Sequence, residues 1–143
     1  MALAWSDSIA DVDWDALAAL YRAAPLGDKR PQDLAIVFAN SRHRCLVRDG
    51  DALVAAGRLL SDGLDCAYLC DVAVLPAYQG RGLGKAVVLR LLDRVRDHRK
   101  IILYAVPGKE PFYRRLGFRR MTTAMAIFEN APAALARGVI AED

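Results

Sequence analysis

The chain has no long apolar run, only two histidines and only three cysteines, and each shortage closes off a class of protein. A membrane-crossing helix needs about eighteen or more consecutive apolar residues, and no segment approaches that length. The opening stretch Met1-Ala-Leu-Ala-Trp-Ser-Asp7 lacks a basic n-region and turns acidic at once, so it is not read as a signal peptide. Cys45, Cys66 and Cys70 are odd in number and have no nearby His pair at metal-ligand spacing. Free thiols in a reducing compartment, with no metal site and a cytoplasmic location, are the expectation. No internal repeat, linker or low-complexity stretch interrupts the sequence. The basic residues are not interleaved with an aromatic stacking platform, which ranks nucleic acid well below a small anionic ligand as the partner.

What is present describes one domain spanning 1–143, with 55 % hydrophobic and 26 % charged residues. The net charge of +3 hides an asymmetry. Residues 71–120 carry twelve Lys/Arg against four acids, a local +8 that leaves −5 for the rest of the chain. A positive half of this kind suits a polyanionic ligand through electrostatic steering.

Apolar spacing predicts a helix through Trp14, Leu17, Leu20, Tyr21 and Ala24, stopped by Pro25 and Gly27, and a short one over 31–39. Residues 44–48 and 52–60 read as strands joined by Asp49-Gly50-Asp51, a hairpin signal. A long apolar strand follows over 66–75, then a helix over about 83–97, a buried strand over 101–106, and a two-turn helix opened by Pro111 and closed by Gly117 in the C′ position. Residues 118–128 read as one strand or two short ones, and the Ala-rich tail 131–143 is uninformative. Hairpins followed by a β-α-β unit imply an α/β fold. The expected sheet is mixed and largely antiparallel, with about six to seven strands and helices on both faces.

The stretch that organises the rest is Asp71-Val-Ala-Val-Leu-Pro-Ala-Tyr-Gln-Gly-Arg-Gly-Leu-Gly-Lys85. A strand that feeds a glycine-rich turn and then a helix gathers backbone N–H groups at the positive end of a helix dipole, a socket for phosphate. It is not a Walker loop, which would need Gly at Gln79 and Ser or Thr at Ala86. Nor is it the dinucleotide fingerprint, which would need Gly at Lys85 and an acid about twenty positions on. Some thirty residues later comes Glu110-Pro-Phe-Tyr-Arg-Arg-Leu-Gly-Phe118.

Gln79-Gly-Arg-Gly-Leu-Gly84 resembles the Q/R-x-x-G-x-G/A loop of the GNAT (GCN5-related N-acetyltransferase) superfamily, and Phe112-Tyr-Arg-Arg-Leu-Gly-Phe118 resembles its F-Y-x-x-x-G-F signature. The two segments stand in the family's order, and the likeness covers roughly 43–128. The resemblance implies direct transfer of an acetyl group from acetyl-coenzyme A to a primary amine, on a small molecule or a peptide, in a ternary complex. Gln79, Gly80, Arg81, Gly82, Leu83, Gly84 and Lys85 would hold the pyrophosphate. The backbone at Val72, Ala73 and Val74 would pair with the pantetheine arm, and Phe112, a core anchor of its helix, is counted with the cofactor-binding set. Tyr113 would protonate the departing thiolate, a modestly uphill step from a phenol pKa near 10 to a thiol near 8.5.

Members of the family often place a base at positions matching Tyr68 or Cys70, and no carboxylate or His stands at either. Asp71 is then the candidate base, reaching the pocket through a β-bulge, with a structural acid bonded to backbone N–H groups as the alternative reading and exposed Glu110 in reserve. A non-catalytic acyl-coenzyme A binding module of the same fold is the competing function. Homodimer formation is left open.

Overall fold

The computed structural model describes residues 2–143, which divide into two compact units meeting at the Leu103–Tyr104 bond. The first unit is a five-stranded sheet in the order β1-β2-β3-β4-β5, formed by β1 (Leu3–Ser6), β2 (His43–Asp49), β3 (Ala52–Ser61), β4 (Cys66–Val74) and β5 (Lys100–Ile102). All neighbours are antiparallel except β4 and β5. Gly50 (φ 60°) lies in the two-residue loop that joins Asp49 to Ala52, so the Asp-Gly signal does form the β2–β3 hairpin.

Period-two alternation, shifted in β3 by a bulge at Val54 where Val47 pairs with Ala55 and Arg48 with Leu53, splits the strand residues between two faces. Leu46, Leu53, Ala56 and Ala73 face α1 (Trp14–Ala23) and α2 (Pro31–Ala39), whose Leu17, Leu20, Tyr21, Leu34 and Phe38 are fully buried there. Asp13 caps α1 by accepting the Ala16 N–H at 3.1 Å. On the other face lies α3 (Leu83–Leu92), burying Val87, Val88 and Leu91. Each such side chain contributes about 1.5–3 kcal/mol by leaving water. Gly57 lets α3 come close. A Cβ there would sit 3.0 Å from both Leu91 and Val87.

The second unit, from Tyr104 to Asp143, holds α4 (Glu110–Arg115) and α5 (Ala131–Ala136). Asn130 caps α5 by accepting the Ala133 N–H, an element the sequence reading left unassigned. Among the described residues no helix is long and apolar enough to cross a membrane.

The strand count is a correction. Five strands stand where six to seven were expected: residues 118–128 form no strand among the described residues, and β1, which was not anticipated, is one of the five. Met121, Met125 and Ile127 alternate as a strand would, yet they are exposed and their backbone has no partner strand. Alternation alone makes no ladder. The helix expected over 83–97 ends at Leu92, and the chain continues in tight turns through Arg94 and Val95 that keep Val95 buried. The strand expected over 101–106 is cut to Lys100–Ile102.

Candidate active site

Strand β4 carries an irregularity at its middle. Ala56 pairs with Ala73 and Arg58 with Cys70, so Asp71 and Val72 together oppose the single Gly57. This is a β-bulge, and Asp71 takes the left-handed conformation (φ 55°), the only non-glycine among the described residues with positive φ. The bulge turns the carboxylate toward α1 and the link after it. Arg58 donates from Nε to Asp71 Oδ2 at 2.8 Å, and Lys29 Nζ lies 3.4 Å from Oδ1. The buried Tyr21 hydroxyl donates to the Asp71 carbonyl at 2.8 Å. Arg58 also reaches Ser41 Oγ at 3.3 Å, and Ser41 in turn donates to the Val37 carbonyl at 2.7 Å. The partners of Asp71 are therefore side-chain cations and a phenol, where the structural-acid reading had named backbone N–H groups.

These contacts set the local proton affinities. Burial and then the Asp71 charge push the Tyr21 phenol well above its ordinary value, so it remains a neutral donor. Burial works against the Arg58 charge, but attraction to Asp71 outweighs it and the guanidinium is raised overall. The neighbouring Cys70 thiol is pushed up to about 11 by burial, which suppresses the thiolate that a covalent acetyl-cysteine route would need. Arg58, Lys29 and Tyr21 were missed by the sequence reading. One signal was available: Arg58 is the lone cation in the apolar run of β3, a placement that calls for a buried partner.

Past the bulge, β4 leads to the glycine loop. Its far edge pairs with β5 only over Cys66–Tyr68, so the edge from Leu69 to Val74 extends beyond that ladder. Pro76–Tyr78 form a single 3-10 turn. Gln79 then folds its side-chain amide back onto the Val74 carbonyl at 2.9 Å, tying the loop to the strand end. Gly80 and Gly82 both have left-handed backbones (φ 77° and 78°), and a Cβ at either would meet nothing within 4 Å. Their requirement is conformational and not spatial.

Gly82 is the N-cap of α3 and offers no side-chain cap to the first-turn N–H groups of Leu83, Gly84 and Lys85, and Arg81 and Lys85 beside them are exposed. The Arg81 guanidinium lies 5.5 Å from the Tyr78 ring, and the Tyr78 hydroxyl donates to Asp49 Oδ2 at 2.5 Å, anchoring the loop to the β2–β3 hairpin. Val72, Ala73 and Val74 thus run directly into the loop expected to hold phosphate.

Tyr113 and Phe112 belong to the second unit, on α4. The end of α4 is a Schellman motif: Gly117 (φ 100°) donates to the Arg114 carbonyl, and Phe118 donates to the Tyr113 carbonyl, both at 3.1 Å. The apolar contact that accompanies this motif is the Tyr113–Phe118 ring pair at 5.9 Å, and Phe112 packs edge-on against Tyr113 at 4.9 Å. Tyr113 therefore has a structural duty that a Phe ring could also perform. Burial raises its phenol pKa. Glu110 is bound by backbone N–H groups, including Gly108 at 2.6 Å, and its carboxyl is lowered, which makes it a weak proton acceptor.

The sequence model of the Acetyltransferase (GNAT) family matches residues 7–118. GCN5-related N-acetyltransferase 1 of Arabidopsis thaliana chloroplasts is 45 % identical over 67 residues, covering 46 % of this chain and 34 % of that protein. Serotonin N-acetyltransferase 2 of Oryza sativa subsp. japonica is 46 % identical over the same length, with the same coverage. The chain spans about a third of the length of these curated relatives. A GNAT family acetyltransferase from Streptococcus pneumoniae superposes with a TM-score of 0.75 at 26 % identity, covering 91 % of this chain and 98 % of the other. The two motifs, the bulged β4 that runs into a bare helix N-terminus, and the family match over most of the sequence lead to one conclusion: the chain belongs to the GNAT acetyltransferase family.

Proposed function

We propose that residues 1–143 act as one catalytic domain that moves the acetyl group of acetyl-coenzyme A to a primary amine by direct attack. The observation that carries this reading is the uncapped start of α3 at left-handed Gly82, continuous with the β4 edge that outruns β5. Bare first-turn N–H groups with Arg81 and Lys85 beside them fit a pyrophosphate, and a free strand edge fits the amide groups of a pantetheine arm. The relatives' names support acetyl transfer to nitrogen, and one of them names an acceptor as small as serotonin. The three free thiols suit a reducing setting, and we place the enzyme in the cytoplasm.

In the proposed reaction the amine, having released one proton to solvent, attacks the thioester carbonyl carbon. Backbone N–H groups of the Val72–Val74 stretch stabilise the resulting oxyanion. As the C–S bond breaks, the thiolate takes the phenolic proton of Tyr113, which is restored from solvent, and the nitrogen loses its second proton. Asp71, paired with Lys29 and Arg58, directly precedes the Val72–Val74 stretch. The high proton affinity of Cys70 favours this direct route over an acetyl-enzyme.

Free-thiol release from acetyl-coenzyme A across a panel of primary amines tests the proposal. Turnover supports it, whereas tight coenzyme A binding without turnover on any amine would favour the non-catalytic module. Tyr113→Phe keeps the ring contacts of the Schellman turn and removes only the proton. Acetyl-coenzyme A affinity should hold while kcat falls roughly 10²–10⁴-fold, the range typical of a positioned acid. Because burial raises the phenol, the alkaline limb of the rate profile should lie above that of an ordinary tyrosine and disappear in the variant. Near-normal kcat in Tyr113→Phe, with chemistry rate-limiting, would assign proton donation to water.

A further inference from the structure

The bulge corner already contains a primary ammonium. Lys29, on the link between α1 and α2, places its Nζ 3.4 Å from Asp71 Oδ1 and 5.5 Å from the centre of the Tyr21 ring. A carboxylate on one side and an aromatic face on the other make a receptor for an ammonium group. The receptor is rigid. Arg58 holds the second carboxylate oxygen at 2.8 Å, and the Tyr21 hydroxyl is fixed by the Asp71 carbonyl at 2.8 Å. The occupant is held less firmly. A charge-assisted hydrogen bond between ammonium and carboxylate closes to about 2.7–2.9 Å, and the Lys29 pair at 3.4 Å is longer. The Lys29 side chain is 28 % exposed and that of Asp71 is 19 % exposed, so solvent, and a small solute, can reach the pair.

We infer that Asp71 and the Tyr21 face form a subsite for the ammonium of the acceptor, which Lys29 fills in the free protein and from which the acceptor displaces it. The inference rests on the acetyl-transfer reading and adds to it the chemical class of the group recognised, an unbranched primary ammonium of the kind the lysine side chain ends in. The subsite adjoins Val72, the first residue of the backbone stretch assigned to the thioester. Lys29 and the acceptor compete for one carboxylate. Arg58 cannot play the same part, because its guanidinium is the better buried partner and is also bonded to Ser41.

The test uses n-butylammonium chloride, which reproduces the end of a lysine side chain, titrated into the full chain and followed by amide chemical shifts around residues 70–73. Lys29→Met removes the resident charge and keeps the length of the side chain, so n-butylammonium should bind about three- to tenfold tighter than to the native protein. Lys29→Arg should weaken binding, because a guanidinium pairs with Asp71 through two hydrogen bonds and is harder to displace. Adding Asp71→Asn to Lys29→Met should abolish the gain. Unchanged n-butylammonium affinity in folded Lys29→Met and Lys29→Arg would overturn the subsite and reduce Lys29 to a strut between the link and the bulge. Thiol release from acetyl-coenzyme A separates the two readings. Turnover of amines by the native chain with no change in n-butylammonium affinity would sink the subsite alone. The predicted affinity changes with no turnover on any amine would sustain the subsite and sink acetyl transfer.

Discussion

Asp71 and Gly82 share one backbone conformation and have opposite surroundings. Both are left-handed, at φ 55° and 78°. Around Asp71 the polar atoms are matched: Arg58 and Lys29 take the carboxylate and Tyr21 takes the carbonyl. Around Gly82 the space is open, and the helix that starts there has no side-chain cap. A left-handed non-glycine residue costs roughly 1–2 kcal/mol, so it persists where the side chain has its own work. Glycine stands where the backbone itself must be approached. The protein fills the first corner from within, and the second is the one proposed above to receive phosphate.

The comparison is broken most severely from the filled side. Arg58→Met keeps the apolar stem and strips the cation, leaving a half-buried carboxylate with Lys29 alone. Denaturant unfolding should show a loss of about 2–3 kcal/mol, since an acid bonded on both oxygens loses its shorter contact. A loss under half of that would mean that Lys29 or water replaces the pair, and that the corner is less tightly determined than its geometry implies.

Breaking the open corner should affect stability less and binding more. Gly82→Val forces a β-branched residue into φ 78°, at about 1–2 kcal/mol of stability. The N–H groups at the start of α3 would shift with it, so acetyl-coenzyme A affinity measured by calorimetry should fall roughly tenfold or more, a change of about 1.4 kcal/mol or more. Unchanged affinity in a folded variant would remove this loop as the phosphate site.

The smallest effect sharpens the contrast. In the β3–β4 turn, the Asp62 carboxylate accepts N–H bonds from Leu64, Asp65 and Cys66 at 2.7–3.1 Å. It supplies from within the chain the anion that the α3 terminus lacks. Those backbone bonds lower its carboxyl to about 2. A depressed carboxylate stabilises the fold above its unfolded pKa, near 4, and the contribution is lost as pH falls through the folded value. Thermal midpoints of Asp62→Ala should therefore lie slightly below the native ones at neutral pH, and the gap should close between about pH 4 and 2. A gap that stays constant over that window would mean that the carboxylate charge is not what orders the turn.

Where structure followed from neighbours along the chain, the sequence was legible. The Asp49-Gly50 hairpin, the Pro31 start of α2 and the Gly117 end of α4 each depend on a few adjacent residues and their φ preferences. The glycine loop was legible for the same reason, because left-handed φ at Gly80 and Gly82 is a local demand. Four-residue β1 escaped notice, since its ladder partner is β2, some forty positions on. Residues 118–128 had the pattern of a strand and form none, because a ladder needs a partner and no pattern supplies one. The contacts of Asp71 come from 13 and 50 positions away, from Arg58 and Tyr21. Composition and motif placed an acid at the bulge. Only the packing of α1, its following link and β3 against β4 decided that this acid would be gripped by two cations, because long-range electrostatics is set by distances that chain spacing does not encode.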